Sequence, residues 1–286
     1  MPNQPNPKCP TLNSLMSDGK EPLEIFKELI QRIQSISEDE GRKKSLFEFI
    51  KTTSPELFIE IFNLILYPPE GYSEKVIVLR DTLTRLLLLG AVDERLSYEE
   101  ITELYRIASE KGYDAVARFF LAPPPVKVMD DAESPQLHRS ISSTTLGMRR
   151  SLAKKPKKFL LDHLAKDGDP VVIRNILRNP RIVEQDVIKM TSRRPAPTVV
   201  LEEIFKHPRW KNNYRIRKAL VFNPYTPPAI SVKLVYSLLV ADLRLCAQTI
   251  NLHPLVLSAA RDEIERRGGE KIADGVILEE EKGGDE

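Results

Sequence analysis

The chain has 286 residues, 43 Lys/Arg against 41 Asp/Glu, a formal charge of +2 and 41% apolar side chains. That length allows about two domains, and the composition excludes a collagen, a disulfide scaffold and a wholly disordered chain. No run of about 18 apolar residues exists to span a membrane, the first residues contain no apolar stretch of a secretory signal, and Cys9 and Cys246 are too few for a disulfide framework. A cytoplasmic, reducing setting is expected.

Residues 1–20 are rich in Pro and Asn, without periodicity, and read as a disordered head. From Glu21 the pattern becomes helical. Leu23, Phe26, Ile30, Ile33 and Ile36 recur at three- and four-residue steps, and a second helix carries Leu46, Phe47, Phe49 and Ile50. Ser54-Pro55-Glu56 opens a third helix with Ser54 as cap, stopped by Pro68-Pro69. Ser73-Glu74 opens a fourth. Ser97 and Glu100 have the spacing of a capping box, Gly112 closes that helix, and Asp114 caps a short one. These elements predict an acidic helical bundle over 21–122. Pro123-Pro124-Pro125 ends it, and residues 123–148, rich in Ser and Thr, read as a flexible linker. The run Ser140 to Thr145, between Arg139 and Arg149-Arg150, is a place where phosphorylation would set negative charge beside a basic domain.

The next segment, 149–268, has a different grammar. Helical stretches are punctuated by Asn179-Pro180, His207-Pro208, Asn223-Pro224 and His253-Pro254, separated by 28, 16 and 30 residues. Taken in pairs the period is 44 to 46, in the range of two- and three-helix repeats. Proline breaks each helix, a polar residue tolerates the break, and each unit is too short to bury its own apolar face, so the units must stack.

Asp169 to Pro180 and Tyr214 to Pro224 both read apolar-Arg-x-x-apolar followed by Asn-Pro, each leading into another helix. This pattern resembles the HEAT-like and leucine-rich-repeat-variant α-solenoid families of bacteria over about residues 151–268, and Thr145 to Ala153 is similar to the lead-in of an uncharacterised bacterial family built this way. The resemblance implies a C-terminal HEAT-like α-solenoid repeat domain, which with the N-terminal helical bundle read from periodicity makes an all-α chain. Some leucine-rich-repeat-variant proteins carry a cysteine-ligated iron–sulfur cluster. Two cysteines 237 residues apart cannot supply four thiolates, so the fold carries over and no cofactor does.

Site chemistry is sparse. The four histidines, His138, His163, His207 and His253, have no metal-ligand spacing. An EF-hand ending at Glu100 would need oxygen ligands at Leu89 and Ala91 and a glycine at Glu94. No nucleophile elbow or phosphate loop occurs. No catalytic constellation is expected, and Cys246 reads as a small buried hydrophobe.

Charge by segment is the strongest signal. Residues 1–135 carry 16 Lys/Arg and 23 Asp/Glu, a net −7; residues 136–268 carry 25 and 11, a net +14; residues 269–286 carry 2 and 7, a net −5 in an acidic tail read as disordered. The tail has the sign to shield the basic segment in cis. Basic clusters fall at Arg149-Arg150, Lys154 to Lys158, Arg193-Arg194, Arg209 to Lys211 and Arg215 to Lys218. The expected binding surface comprises Arg174, Arg193, Arg194, Arg209, Trp210, Lys211, Tyr214, Arg215, Arg217 and Lys218. Its expected partner is an acidic protein held by a non-enzymatic scaffold. The alternative is nucleic acid, with Trp210 and Tyr214 beside the cations. A third reading is an enzyme acting on a polyanion. The basic residues should share one face if either binding reading holds, and the opposite charges of the halves favour their docking.

Overall fold

A computed structural model of the protein describes residues 20–88, 97–129 and 144–267. The expected head, apart from Lys20, the Ser-rich stretch 130–143 and the acidic tail lie outside the described residues. Every regular element among the described residues is helical, and none of these helices is long and apolar enough to cross a membrane.

The N-terminal half contains α1 (Pro22–Ser35), α2 (Asp39–Thr52), α3 (Pro55–Leu66), α4 (Ile77–Leu88), α5 (Tyr98–Glu110) and the short α6 (Asp114–Ala117), which runs into a 3-10 turn at Arg118–Phe120. The apolar stripe of α1 buries Phe26, Leu29, Ile30 and Ile33, while Leu23 at its first turn stays largely exposed. Ser54 accepts from the Leu57 N–H at 3.4 Å. The capping box forms as spaced: the Glu100 N–H donates to Ser97 at 3.2 Å and the Ser97 N–H to the Glu100 carboxylate at 2.6 Å. Gly112 ends α5 at φ +70°, a left-handed conformation that favours glycine. Two expectations shift. The fourth helix starts at Ile77, after a turn over 73–76, and Asp114 is the first helical residue of α6, with no capping hydrogen bond at that end.

The C-terminal half holds α7 (Leu146–Leu152), α8 (Lys158–Leu164), α9 (Pro170–Arg178), α10 (Glu184–Thr191), α11 (Thr198–Lys206), α12 (Tyr214–Val221), α13 (Pro228–Val235), α14 (Val240–Gln248) and α15 (Pro254–Arg266). The first of these starts three residues inside the stretch read as linker, because Thr145 caps it by accepting from the Met148 N–H. Helices pack on their second neighbours: α7 on α9, α9 on α11, α10 on α12 and α13 on α15. The same rule holds in the first half, where α1 packs on α3, α2 on α4 and α3 on α5.

The hydrogen bonds that set this stacking recur. Helices of 7–9 residues leave about half their carbonyls without intrahelical partners. A side chain following helix n + 2 serves the end of helix n. Asn179 donates to the Ala153 and Lys155 carbonyls past α7 (3.0 and 3.1 Å). Arg193 donates to Ala165 past α8 (3.3 Å), and Trp210 to Leu177 in α9 (3.0 Å). Asn223 donates to Thr191 and Arg193 past α10 (2.6 and 3.0 Å), and Arg267 to Tyr236 and Leu238 past α13 (3.0 and 2.7 Å).

The four pre-proline residues share a second bond. Each accepts from the N–H two residues on: Asn179 from Arg181, His207 from Arg209, Asn223 from Tyr225 and His253 from Leu255, at 3.0–3.3 Å. Proline has no N–H, so this is the first free donor past the break.

The halves meet where α13 packs against α4 and the 3-10 turn. The Phe119 and Tyr236 rings lie 5.0 Å apart, and the Lys127 N–H donates to the Pro224 carbonyl at 3.2 Å, so this end of the predicted linker lies on the second half. Arg118 forms an ion pair across the junction with Asp262. Its polarity is the reverse of the net charges: the acidic half supplies the cation.

Replacing Asn179 or Asn223 with Ala strands one buried and one part-buried carbonyl, and each should lower stability by about 2–3 kcal/mol in urea unfolding. Exposed Gln248→Ala should change it by less than about 0.5 kcal/mol.

Candidate functional site

The expected basic residues divide among three places. Arg174, on α9, makes a bidentate pair with the buried Glu203 of α11 at 2.8 and 2.9 Å. On α12, Lys218 holds Asp242 of α14 at 2.6 Å, Tyr214 donates its hydroxyl proton to the same carboxylate, Arg217 lies 5.9 Å from the Tyr214 ring, and the exposed Arg215 stands 3.5 Å from Glu184 of α10. These cations tie neighbouring helices together. Lys218 and Tyr214 hold the Asp242 carboxyl below the usual range against the upward push of burial, and Lys158 together with the Val183 N–H does the same for Asp186.

Arg193 and Arg194 follow α10, on the edge opposite the loop after α11. Arg193 is half-buried on the Ala165 carbonyl, and burial lowers its guanidinium pKa. Arg194 donates to the Phe222 carbonyl at 2.7 Å. The ten residues therefore do not share one face. Trp210 also departs from its expected role. It is 3% exposed, its N–H is on Leu177, and the Arg209 guanidinium covers its ring at 4.2 Å. It packs as a wedge between helices and presents no face for a nucleic-acid base.

The structure assembles a different group. The loops after α7, α9 and α11 lie side by side, because Asn179 reaches from the second to the first and Trp210 from the third to the end of α9. Residues 153–157, 178–183 and 206–213 contain Lys154, Lys155, Lys157, Arg178, Arg181, Lys206, Arg209 and Lys211 and no carboxylate. Lys154, Lys155, Lys157, Arg178 and Arg181 are exposed, and among the described residues their side chains make no ion pair. Of the expected surface, Arg209 and Lys211 belong to this ridge. The Lys154 to Lys158 run was visible in the sequence. Its neighbours Arg178 and Arg181 were not, since only the stacking makes three separated loops adjacent.

His207 sits in the same loops. Burial lowers its pKa, and Arg178, Arg209 and Lys211 lower it further; burial alone lowers that of His253. Burial raises the Cys246 thiol to about 12, leaving a protonated, core-packed side chain. No group of three or more His, Cys, Asp or Glu among the described residues could hold a metal ion. A cleft of about 660 Å³ opens between the halves, with Tyr67, Tyr113, Arg118, Ser258 and Asp262 on its walls. Both arginines on its walls are engaged, Arg118 on Asp262 and Arg266 on the buried Glu263.

No family model matches the sequence, and no characterised protein or solved structure is significantly similar to it.

The histidines predict a pH response. Both accept a backbone hydrogen bond through Nδ1, which protonation would abolish. Their folded pKa values lie below the ordinary 6.5, so their contribution to stability is present above about pH 6.5 and is lost as pH falls through the folded values. The depressed carboxylates Asp169, Asp186 and Asp242 act in the same direction only below about pH 4. Thermal unfolding should show a first decline as pH falls below about 6.5, before the carboxylates begin to titrate. A His207→Asn, His253→Asn variant, which installs the residue found at the other two breaks, should flatten it.

Proposed function

We propose that this chain is a non-enzymatic binding module, a HEAT-like helical repeat that holds an acidic protein partner on its basic half. The observation that carries this reading is the recurrent closure of short helices, at the ends of α7, α8, α9, α10 and α13, by a side chain after helix n + 2. One rule repeated along the chain aligns equivalent loops into continuous edges, and repeat proteins use such extended surfaces for partners. The charge segregation gives the surface its sign: a net +14 over 136–268 beside a net −7 over 1–135. Helix-face cations such as Arg174 and Lys218 pair between helices, so the excess charge is carried elsewhere, much of it on loops. Within this reading the protein works in a reducing, cytoplasmic setting, which suits the buried thiol of Cys246.

The test is fluorescence anisotropy on the full chain with two labelled peptides of equal length, one rich in Asp and Glu and one rich in Lys. The acidic peptide should bind, losing about tenfold or more in affinity between about 50 and 200 mM salt, and the basic one should not. Equal affinity for both, or no binding at about 50 mM salt, would overturn the reading.

A further inference from the structure

We infer that the loop ridge 153–157, 178–183 and 206–213 is the docking site for one extended acidic peptide segment that also presents bulky apolar side chains. The inference rests on the binding-module reading and assigns it a place and a partner chemistry.

Three observations converge. First, the cations are concentrated and available. Eight Lys and Arg occupy these loops with no carboxylate among them, and five of the eight are exposed without an ion pair among the described residues. Elsewhere on this half many cations are engaged, Arg149 with Asp167, Arg150 with Asp169, Arg174 with Glu203 and Lys218 with Asp242, and exposed ones such as Lys189 and Arg244 stand singly on helices. Second, the ridge is a fixed object. Asn179 and Trp210 knit the three loops through buried hydrogen bonds, so the charges are held in a row before any partner arrives, which lowers the ordering cost of binding. Helices stacked about 8–10 Å apart give three loops a span of about 20 Å, the length of about six extended residues.

Third, the ridge is not purely polar. Phe159 opens α8 and is 72% exposed, and Val183 immediately precedes α10 and is 52% exposed. Both stand at the helix starts that follow ridge loops, and Lys158 pairs with Asp186 to bring those starts together. Phosphate backbones have no use for an exposed Phe and Val. Successive bases would need a series of aromatic faces, but Trp210 is buried and Tyr214 is tied to Asp242, which leaves Phe159 as a single exposed ring on the ridge. Phe159 is itself edge-on to His163, with ring centroids 4.6 Å apart, which leaves its outer surface for a partner side chain. An acidic segment with interspersed Leu or Phe satisfies the charge and the apolar surface together.

The experiment uses the full chain and three labelled probes: a 12-residue Asp/Glu peptide with two Phe, the same peptide with Ala in place of Phe, and a 12-nucleotide single strand. Two variants carry the same change in net charge. Lys154→Glu with Arg181→Glu alters the ridge; Lys189→Glu with Arg244→Glu alters exposed positions in the last turn of α10 and on α14. All four positions are exposed, and far-UV circular dichroism checks that each variant keeps its helices. The Phe peptide should lose about tenfold or more in affinity with the ridge variant and less than about twofold with the control. A third variant, Phe159→Ser, should weaken the Phe peptide about threefold and leave the Ala peptide unchanged. Equal losses in the two charge variants would reduce the ridge to non-specific attraction and overturn the inference. A strand bound as tightly as the Phe peptide, whether or not it depends on Phe159, would replace it with a nucleic-acid site. Wild-type peptide binding that survives the ridge variant would move the site elsewhere and leave the module reading standing. No peptide binding to the wild type would remove both.

Discussion

Short helices have too many ends. In a helix of 7–9 residues, the four carbonyls with no intrahelical partner are about half of those present, and the breaks after these helices are partly or wholly buried. The second half of this protein is organised around satisfying them. Asn179, Arg193, Trp210, Asn223 and Arg267 each reach back to the end of the helix two places earlier. Packing of apolar faces brings second-neighbour helices together, and these bonds fix their register. The two buried asparagines act in both directions at once, donating to the earlier helix end and accepting from the N–H past their own proline.

The same constraint explains where charge can be free. Some cations on helix faces find a carboxylate on the second-neighbour helix, as Arg174 does with Glu203 and Lys218 with Asp242. In the loops after α7, α9 and α11, Lys154, Lys155, Lys157, Arg178 and Arg181 make no ion pair among the described residues. The strict stacking that closes helix ends therefore gathers Lys154, Arg178, Arg181 and Arg209 along one edge. On the opposite edge Arg193 and Arg194 are occupied with backbone carbonyls. The net charge of +2 conceals this sorting.

The two halves are joined by packing more than by their opposite charges. The bridging pair, Arg118 with Asp262, runs against the net charges, and beside it Phe119 rests on Tyr236. Tyr236 is buried with its hydroxyl lacking a hydrogen-bond partner among the described residues, and desolvation pushes its pKa up. Leaving that hydroxyl unpaired costs free energy, which the apolar contact between α13, α4 and the 3-10 turn offsets.

Local chemistry determined a good deal of this protein. Periodicity marked α1 to α3, the Ser97 and Glu100 box opened α5, Gly112 closed it, and the recurrent Asn-Pro and His-Pro pairs marked the breaks between short helices. These features are legible because each depends on residues within a few positions of one another. The role of the break residues, the burial of Trp210 and the division of the basic residues depended on partners 24 to 33 residues away. Trp210 beside Arg209 and Lys211 looks the same in sequence whether its indole faces solvent or the Leu177 carbonyl. Likewise, Lys154, Arg181 and Arg209 are far apart along the chain. Only the stacking of helices on their second neighbours, which no local pattern encodes, makes them one surface.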